Sequence, residues 1–193
     1  MTDGGSKVSD IEQFARQRFV ENGMDWFVKS HIEYVDKLAC VLAKKTNANE
    51  TIVKLAVWLH DINHKPNDVS SQHHIENSRF ARALLTERGF DTATVGAVEH
   101  CILTHRCKDE HRPRTIEARV IASADAMSHI ENFSVLLFAA FVLKKYTVAE
   151  AWAWLSKKID RDWNEKILIP EGKEMVREKC SEVRAMLDAM ERA

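Results

Sequence analysis

Proline and glycine are scarce in this chain, three and six in 193 residues. Strict apolar–polar alternation is scarce too. A sandwich or barrel needs period-two strands and a turn signal about every 8–12 residues, so the pattern excludes sheet architectures and favours helices. Charge of one sign is also lacking. Twenty-eight Lys and Arg against 29 Asp and Glu leave a formal net charge of −1, which gives no global attraction to nucleic acid or an anionic membrane. Long apolar runs are missing: the longest, Val135 to Leu143, falls well below the roughly 20 residues that span a bilayer. Met1 to Lys7 is small and polar and lacks the apolar centre of a signal peptide. The four cysteines (Cys40, Cys101, Cys107, Cys180) form no CxxC pair and no dense framework. Reduced thiols and a cytoplasmic setting are the expectation.

What is present, 45% hydrophobic and 30% charged residues, suits an ordinary globular protein. No repeat, linker or low-complexity tract divides residues 1–193, so one all-α domain is expected. Ser9 or Asp10 caps a first helix to about Glu21, and Gly23 closes it. Asp25 starts a long second helix with Phe27, Val28, His31, Val35 and Leu38 on one face. Asn49 starts a third, carrying Val53, Ala56, Val57 and His60 and stopping before Pro66. A polar loop from Lys65 to Gln72 leads to a fourth helix, His73 to Glu87, ended by Gly89. A fifth, from Asp91, carries Val98, Cys101, Ile102 and His105. After a charged loop, Thr115 opens a sixth with Ala118, Ile121, Ala122 and Asp125 on one face. Three more helices are predicted near 131–144, 147–163 and 173–191, with Leu168 to Gly172 as a turn.

His31, His60, His105 and Asp125 all fall on apolar helix stripes. For Asp125 the residues three, four and seven positions earlier are Ala122, Ile121 and Ala118. A buried polar group without a partner costs about 1–3 kcal/mol and a bare charge far more, so these residues need one another or a cation. Four inward ligands from four helices converge as metal sites in helical bundles do. His60 and Asp61 are adjacent, about 100° apart on a helix, so both face one ion only near a helix end. Mixed imidazole and carboxylate donors suit Zn, Fe, Mn, Co or Ni, and possible Mg binding is left open.

The order His31, His60-Asp61, Asp125 resembles the HD superfamily of metal-dependent phosphohydrolases. Trp58-Leu59-His60-Asp61-Ile62 is similar to the family's doublet helix, and Ala122 to Met127 to its distal aspartate motif. His74-Ile75-Glu76-Asn77-Ser78 is similar to the helix that follows the doublet. The resemblance covers about residues 25–130 and implies an HD-type bundle, with the helices of 131–193 packed on it. It implies His31, His60, Asp61 and Asp125 as core ligands. It also implies His74 and His105 as additions for a second ion, with Asp61 bridging, so one or two ions are expected. No GYP segment follows Thr104-His105, which argues against a cyclic dinucleotide substrate.

The activity implied is hydrolysis of a small phosphorylated molecule, a nucleotide among them, by metal-activated water. Asp61 is then a ligand that also orients the water, and His64 and His100 are candidates to protonate the leaving oxygen. Arg106 and Lys108, with Arg112 and Arg114 nearby, are candidate phosphate contacts, although Asp109 and Glu110 also fit a solvated loop. His129 reads as a core residue beside the site. Two alternatives stand on the same scaffold: a di-iron oxygenase, and a regulatory module that binds a ligand through a degenerate site. Neither a membrane nor nucleic acid is an expected partner. The tryptophans and phenylalanines of the last third read as core or as a homodimer surface.

Overall fold

The computed structural model describes residues 3–65, 72–108 and 110–191, and among them every regular element is helical. Helix α1 is Asp3–Glu21. Helix α2 spans 25–46, with a π-turn at Val28–Ile32 between Asp25–Phe27 and Glu33–Thr46. Helix α3 is Glu50–Leu59, α4 His73–Glu87, α5 Thr92–Thr104 and α6 Ile116–Glu131. Helix α7 spans 134–143 and α8 148–166, each ending in a π-turn, at Ala139–Leu143 and Asp162–Lys166. Helix α9 is Pro170–Glu191. No single helix among the described residues is long and apolar enough to cross a membrane. All four cysteines are free thiols.

Several helix starts follow from side-chain caps. Asn49 accepts the amides of Thr51 and Ile52, Asp91 that of Thr94, and Thr115 that of Ala118. Thr147 and Glu150 form a reciprocal capping box at the start of α8. Each such cap is worth about 1 kcal/mol. Four boundaries differ from the sequence reading. Helix α1 begins at Asp3, ahead of the Ser9 and Asp10 caps, and Met24, with no side-chain cap, precedes α2 in place of Asp25. Helix α3 ends at Leu59, and His60 to Asn63 form a turn; the expected stop at Pro66 lies outside the described residues, as does most of the loop before Gln72. Helix α9 starts at Pro170, because proline suits the first helical turn, where its missing N–H is not needed.

Helix α6 is the axis of the bundle. Ala118, Val120 to Ser128 and Ile130 are all buried, so this helix is covered on every side. Its alanines and serines let α2, α3, α5 and α9 approach closely. Gly172 shows how closely: a Cβ there would stand 2.8 Å from Met127 Sδ and 3.3 Å from Ile167 Cγ2. One hydrophobic core runs without a break from Ile11 to Leu187. Trp58 is its largest fully buried side chain, with the Arg16 guanidinium 4.2 Å from the ring centroid. Burying a side chain of this kind is worth at least about 1.5–3 kcal/mol.

Candidate metal centre

The end of α3 places the doublet. Once the helix stops at Leu59, the turn brings Asp61 Oδ2 to 3.6 Å from His60 Nε2, although the residues are neighbours in the chain. The buried amide of Asn77 fixes that turn from α4. Its Nδ2 donates to the His60 carbonyl at 2.7 Å, and its Oδ1 accepts the Asn63 amide at 3.3 Å. His31 comes from the π-turn of α2, and Asp125 from the middle of α6. His31 Nε2 lies 3.3 Å from Asp125 Oδ1 and 3.9 Å from Asp61 Oδ2. The four expected core ligands therefore stand together in the core, none more than 8% exposed.

The hydrogen bonds around the rings are directional. His60 Nδ1 lies 2.7 Å from the Val57 carbonyl, and His105 Nδ1 2.6 Å from that of Ile102. A carbonyl only accepts, so both rings carry their proton on Nδ1 and leave Nε2 with a bare lone pair. Ser128 Oγ donates to the Asp125 carbonyl at 2.7 Å, so at 3.1 Å it accepts from His31 Nδ1. His129 Nδ1 lies 2.9 Å from Asp162 Oδ2 and 3.1 Å from Lys158 Nζ. The His31, His60 and His105 rings thus hold their outer nitrogens on protein acceptors, which leaves Nε2 as the ligand atom, the arrangement that orients metal-bound histidines.

This leaves lone pairs facing lone pairs. His60 Nε2 and Asp61 Oδ1 are buried and make no hydrogen bond among the described residues. Burial lowers the His31 pKa to about 4, so the ring is neutral near pH 7 and offers no cation to Asp125. Burial drives His105 well below its ordinary value as well. Burial alone would raise the Asp61 carboxyl, but His60, His73 and His105 outweigh it and hold the group well below the usual carboxylate range. For Asp125 burial is likewise outweighed, first by Lys166 and then by His129. Carboxylates and imidazoles aimed at one point are the donor set of a divalent transition metal, so the residues fit such an ion.

Among the described residues, three sets have their ligand atoms within 4.8 Å of one another: His31, His60 and Asp61; His31, Asp125 and His129; Asp61, His73 and His105. Asp61 belongs to two of them, as a bridging carboxylate would. The third set differs from the expectation for His74. Helix α4 begins at His73, and a step of about 100° separates consecutive residues. His73 Nε2 faces Asp61 Oδ1 at 3.5 Å, whereas the His74 ring is 5.8 Å from that of His111. Burial and Arg106 lower the His74 pKa to about 4.

The centre opens into a cavity of about 250 Å³. His64 lines it, stacked on Phe27 at 5.3 Å, and Arg106 lines it from the loop after α5. His100 and Lys108 are not among its lining residues. His100 Nε2 accepts the Arg114 amide at 3.1 Å, which ties α5 to that loop. The sequence reading missed the opposite wall. Lys166, buried in the π-turn that ends α8, donates to Asp125 Oδ2, and Lys158 and His129 converge on the fully buried Asp162. Lys158, Asp162 and Lys166 recur at four-residue spacing, a signal indistinguishable in sequence from a solvated ion-pair ladder.

The family model of the HD domain matches residues 28–130. The crystal structure of Bacillus subtilis YpgQ superposes with a TM-score of 0.71 at 21% identity, covering 100% of this chain and 97% of that one. The same protein in complex with ADP gives 0.72 at 20% identity, covering 98% and 95%. These likenesses concern the fold. A tRNA (cytidine(56)-2'-O)-methyltransferase of Thermoplasma volcanium is 27% identical over 136 residues, which span 64% of this chain and 39% of that protein.

Proposed function

The chain belongs to the HD domain family, and from that membership and the geometry above we propose that it is a metal-dependent phosphohydrolase of small phosphorylated molecules, nucleotides foremost. The observation that carries this reading is the ring of Nδ1-anchored imidazoles around Asp61 and Asp125. A divalent ion held by His31, His60, Asp61 and Asp125 supplies, when bound, an acidified water and charge neutralisation at the phosphoryl group.

The chain's own residues complete the reaction. Asp61 orients the attacking water by accepting one of its hydrogens. The water oxygen bonds to phosphorus as the bond to the leaving oxygen breaks. One proton of the water stays on the phosphate, the leaving oxygen takes a proton from His64 at the cavity wall, and the water's second proton passes to solvent, from which His64 is reprotonated. His100 is tied to the Arg114 amide, so that role falls to His64. Arg106 is suited to bind non-bridging phosphate oxygens, since a guanidinium matches them with two parallel donors. A structural neighbour was solved in complex with ADP, which supports a nucleotide as substrate. The cationic wall favours phosphate over the oxygenase alternative, in which a neutral substrate gives these charges no role. The full set of ionised ligands argues against a degenerate regulatory site.

The test is elemental analysis of protein purified without chelators, then a screen of nucleotides and other phosphate esters with Mn, Co, Ni and Mg. Divalent-dependent phosphate release, absent in Asp61→Ala, is expected. Metal-loaded protein that releases no phosphate from any ester, while the iron form consumes oxygen, would overturn the reading.

A further inference from the structure

Helix α1 lies outside the matched family region, yet one of its side chains reaches the turn that carries His60 and Asp61. Arg18 Nη2 donates to Asn63 Oδ1 at 3.0 Å, two residues beyond Asp61. Asn22, just past the end of α1, donates from Nδ2 to the Ile62 carbonyl at 3.4 Å. The Arg18 guanidinium also lies over the Phe80 ring of α4, 5.2 Å from its centroid. Phe80 and Asn77 are three residues apart and share one face of that helix. Asn77 is the residue that accepts the Asn63 amide and donates to the His60 carbonyl. Arg18, Asn63, Asn77 and Phe80 therefore close a circuit around the turn.

A turn needs such a grip more than a helix does, because it has no ladder of its own. Its internal bonds here run from the Ile62 amide to the Leu59 carbonyl at 3.4 Å and from the His64 amide to the Asp61 carbonyl at 2.9 Å. A charged donor on an amide oxygen is roughly twice as strong as a neutral one, so Arg18 is the firmer of the two holds from α1. Among the described residues Arg18 Nε is buried and makes no hydrogen bond, a cost that an aliphatic packing residue at this position would not carry. Arg88 supplies the contrast. It lies 5.4 Å from the Phe14 ring of α1, and Phe14 stacks on Phe80 at 6.4 Å. Both arginines tie α1 to α4 through an aromatic ring, but of the two only Arg18 also grips the turn.

We propose that Arg18 is a positioning residue for the metal centre: through Asn63 it holds the turn at which His60 and Asp61 face the ion. The first helix is then part of the centre's scaffold and not merely a cover for the core. The inference rests on the metal reading for its consequence, but the grip on the turn is measured on the metal-free chain.

Two quantities are read on the full chain: exchange of the Asn63 amide hydrogen without metal, and equilibrium binding of Mn alone. Arg18→Ala is expected to speed that exchange about tenfold. It should weaken Mn binding about tenfold, the low end for loss of a group that orients a ligand. Arg18→Lys, which keeps a charged donor, should recover most of both. Asn63→Ala should show the same loss of Mn affinity, and the double variant should be no worse than either alone. Arg88→Ala is the control: it loosens the same helix pair and lowers stability to urea, but leaves exchange and Mn affinity at parent values. Circular dichroism checks folding, and Asn63→Ala with Arg18→Lys carries the test if Arg18→Ala does not fold. Unchanged exchange in the folded Arg18 variants, or equal changes in Arg88→Ala, overturns the inference. So does faster exchange with unaltered Mn affinity in a parent that binds Mn. A parent that binds no ion, with the turn still loosened by Arg18→Ala, would overturn the metal centre and leave the grip standing.

Discussion

Lys166 donates to Oδ2 of Asp125 and leaves Oδ1 turned toward His31 Nε2, 3.3 Å away. The carboxylate is thereby divided, one oxygen held by the protein and the other presented to an ion. Burial works against the ammonium, but Asp125 and Asp162 raise its pKa, so Lys166 stays charged. Replacing it with methionine keeps much of the volume and removes the hold on Oδ2. Lys166→Met is expected to weaken metal binding about 10–100-fold, the usual cost of losing a group that orients a ligand. Titration of the apo-protein with Mn or Zn, followed by thermal shift, measures it. Unchanged affinity would make Lys166 a packing residue.

His60→Ala and Asp61→Ala are expected to abolish metal retention and leave far-ultraviolet ellipticity close to that of the parent. Both residues lie at or beyond the C-cap of α3, and the bond from the His60 amide to the Ala56 carbonyl is a backbone bond that either substitution keeps. A collapse of ellipticity in both, with no metal in the parent, would assign them to the core instead.

If Asp61 bridges two ions, elemental analysis should return about two per chain, as in other paired-metal sites. His73→Ala and His105→Ala should each bring the ratio to about one, with His74→Ala closer to the parent. A loss confined to His74→Ala would reverse this ordering of the two neighbouring histidines.

Acid should destabilise the metal-free protein. The His31 pKa falls from 6.5 in the unfolded chain to about 4 in the fold, so between these values the unfolded state binds more protons. Stability is therefore intact above about pH 6.5 and lost as the pH drops toward 4, on the order of 1 kcal/mol per pH unit from this ring. Urea unfolding at pH 7, 6 and 5 with a chelator present tests the sign. Stability rising on acidification would contradict it.

Gly172→Ala should cost about 1–3 kcal/mol, because the added methyl overpacks a contact already filled. The crowded neighbour, Met127, is fully buried and has little room to yield. Urea unfolding measures the loss, and in a double-mutant cycle with Met127→Ala the combined cost should be less than the sum of the two.

Much of this molecule was legible in its sequence, because burial writes a period that can be read. His31, His60 and Asp125 declared themselves as polar residues on apolar stripes, and Asn49, Asp91 and Thr115 as caps. The opposite wall was not legible. Lys158, Asp162 and Lys166 share the spacing of a solvated helix face, and only the way α8 packs against α6 turns them inward. His73 and His74 are chemically identical neighbours, so composition could not tell which of them faces Asp61; His73 Nε2 stands 3.5 Å from its Oδ1. The end of α3 was misplaced because the chain leaves the helix well before Pro66, the breaker that sequence alone can see.

The π-turns at Val28–Ile32 and Asp162–Lys166 each fit one more residue into a helical turn than an α-helix holds, and they carry His31 and Lys166. Part of the chemistry is therefore encoded as chain length. Deleting a single residue from either turn would alter almost nothing in composition, yet it would swing the adjoining helix by about 100° and empty one corner of the centre. Substitution scans pass over such positions. Insertions and deletions are the changes to which this architecture is least forgiving.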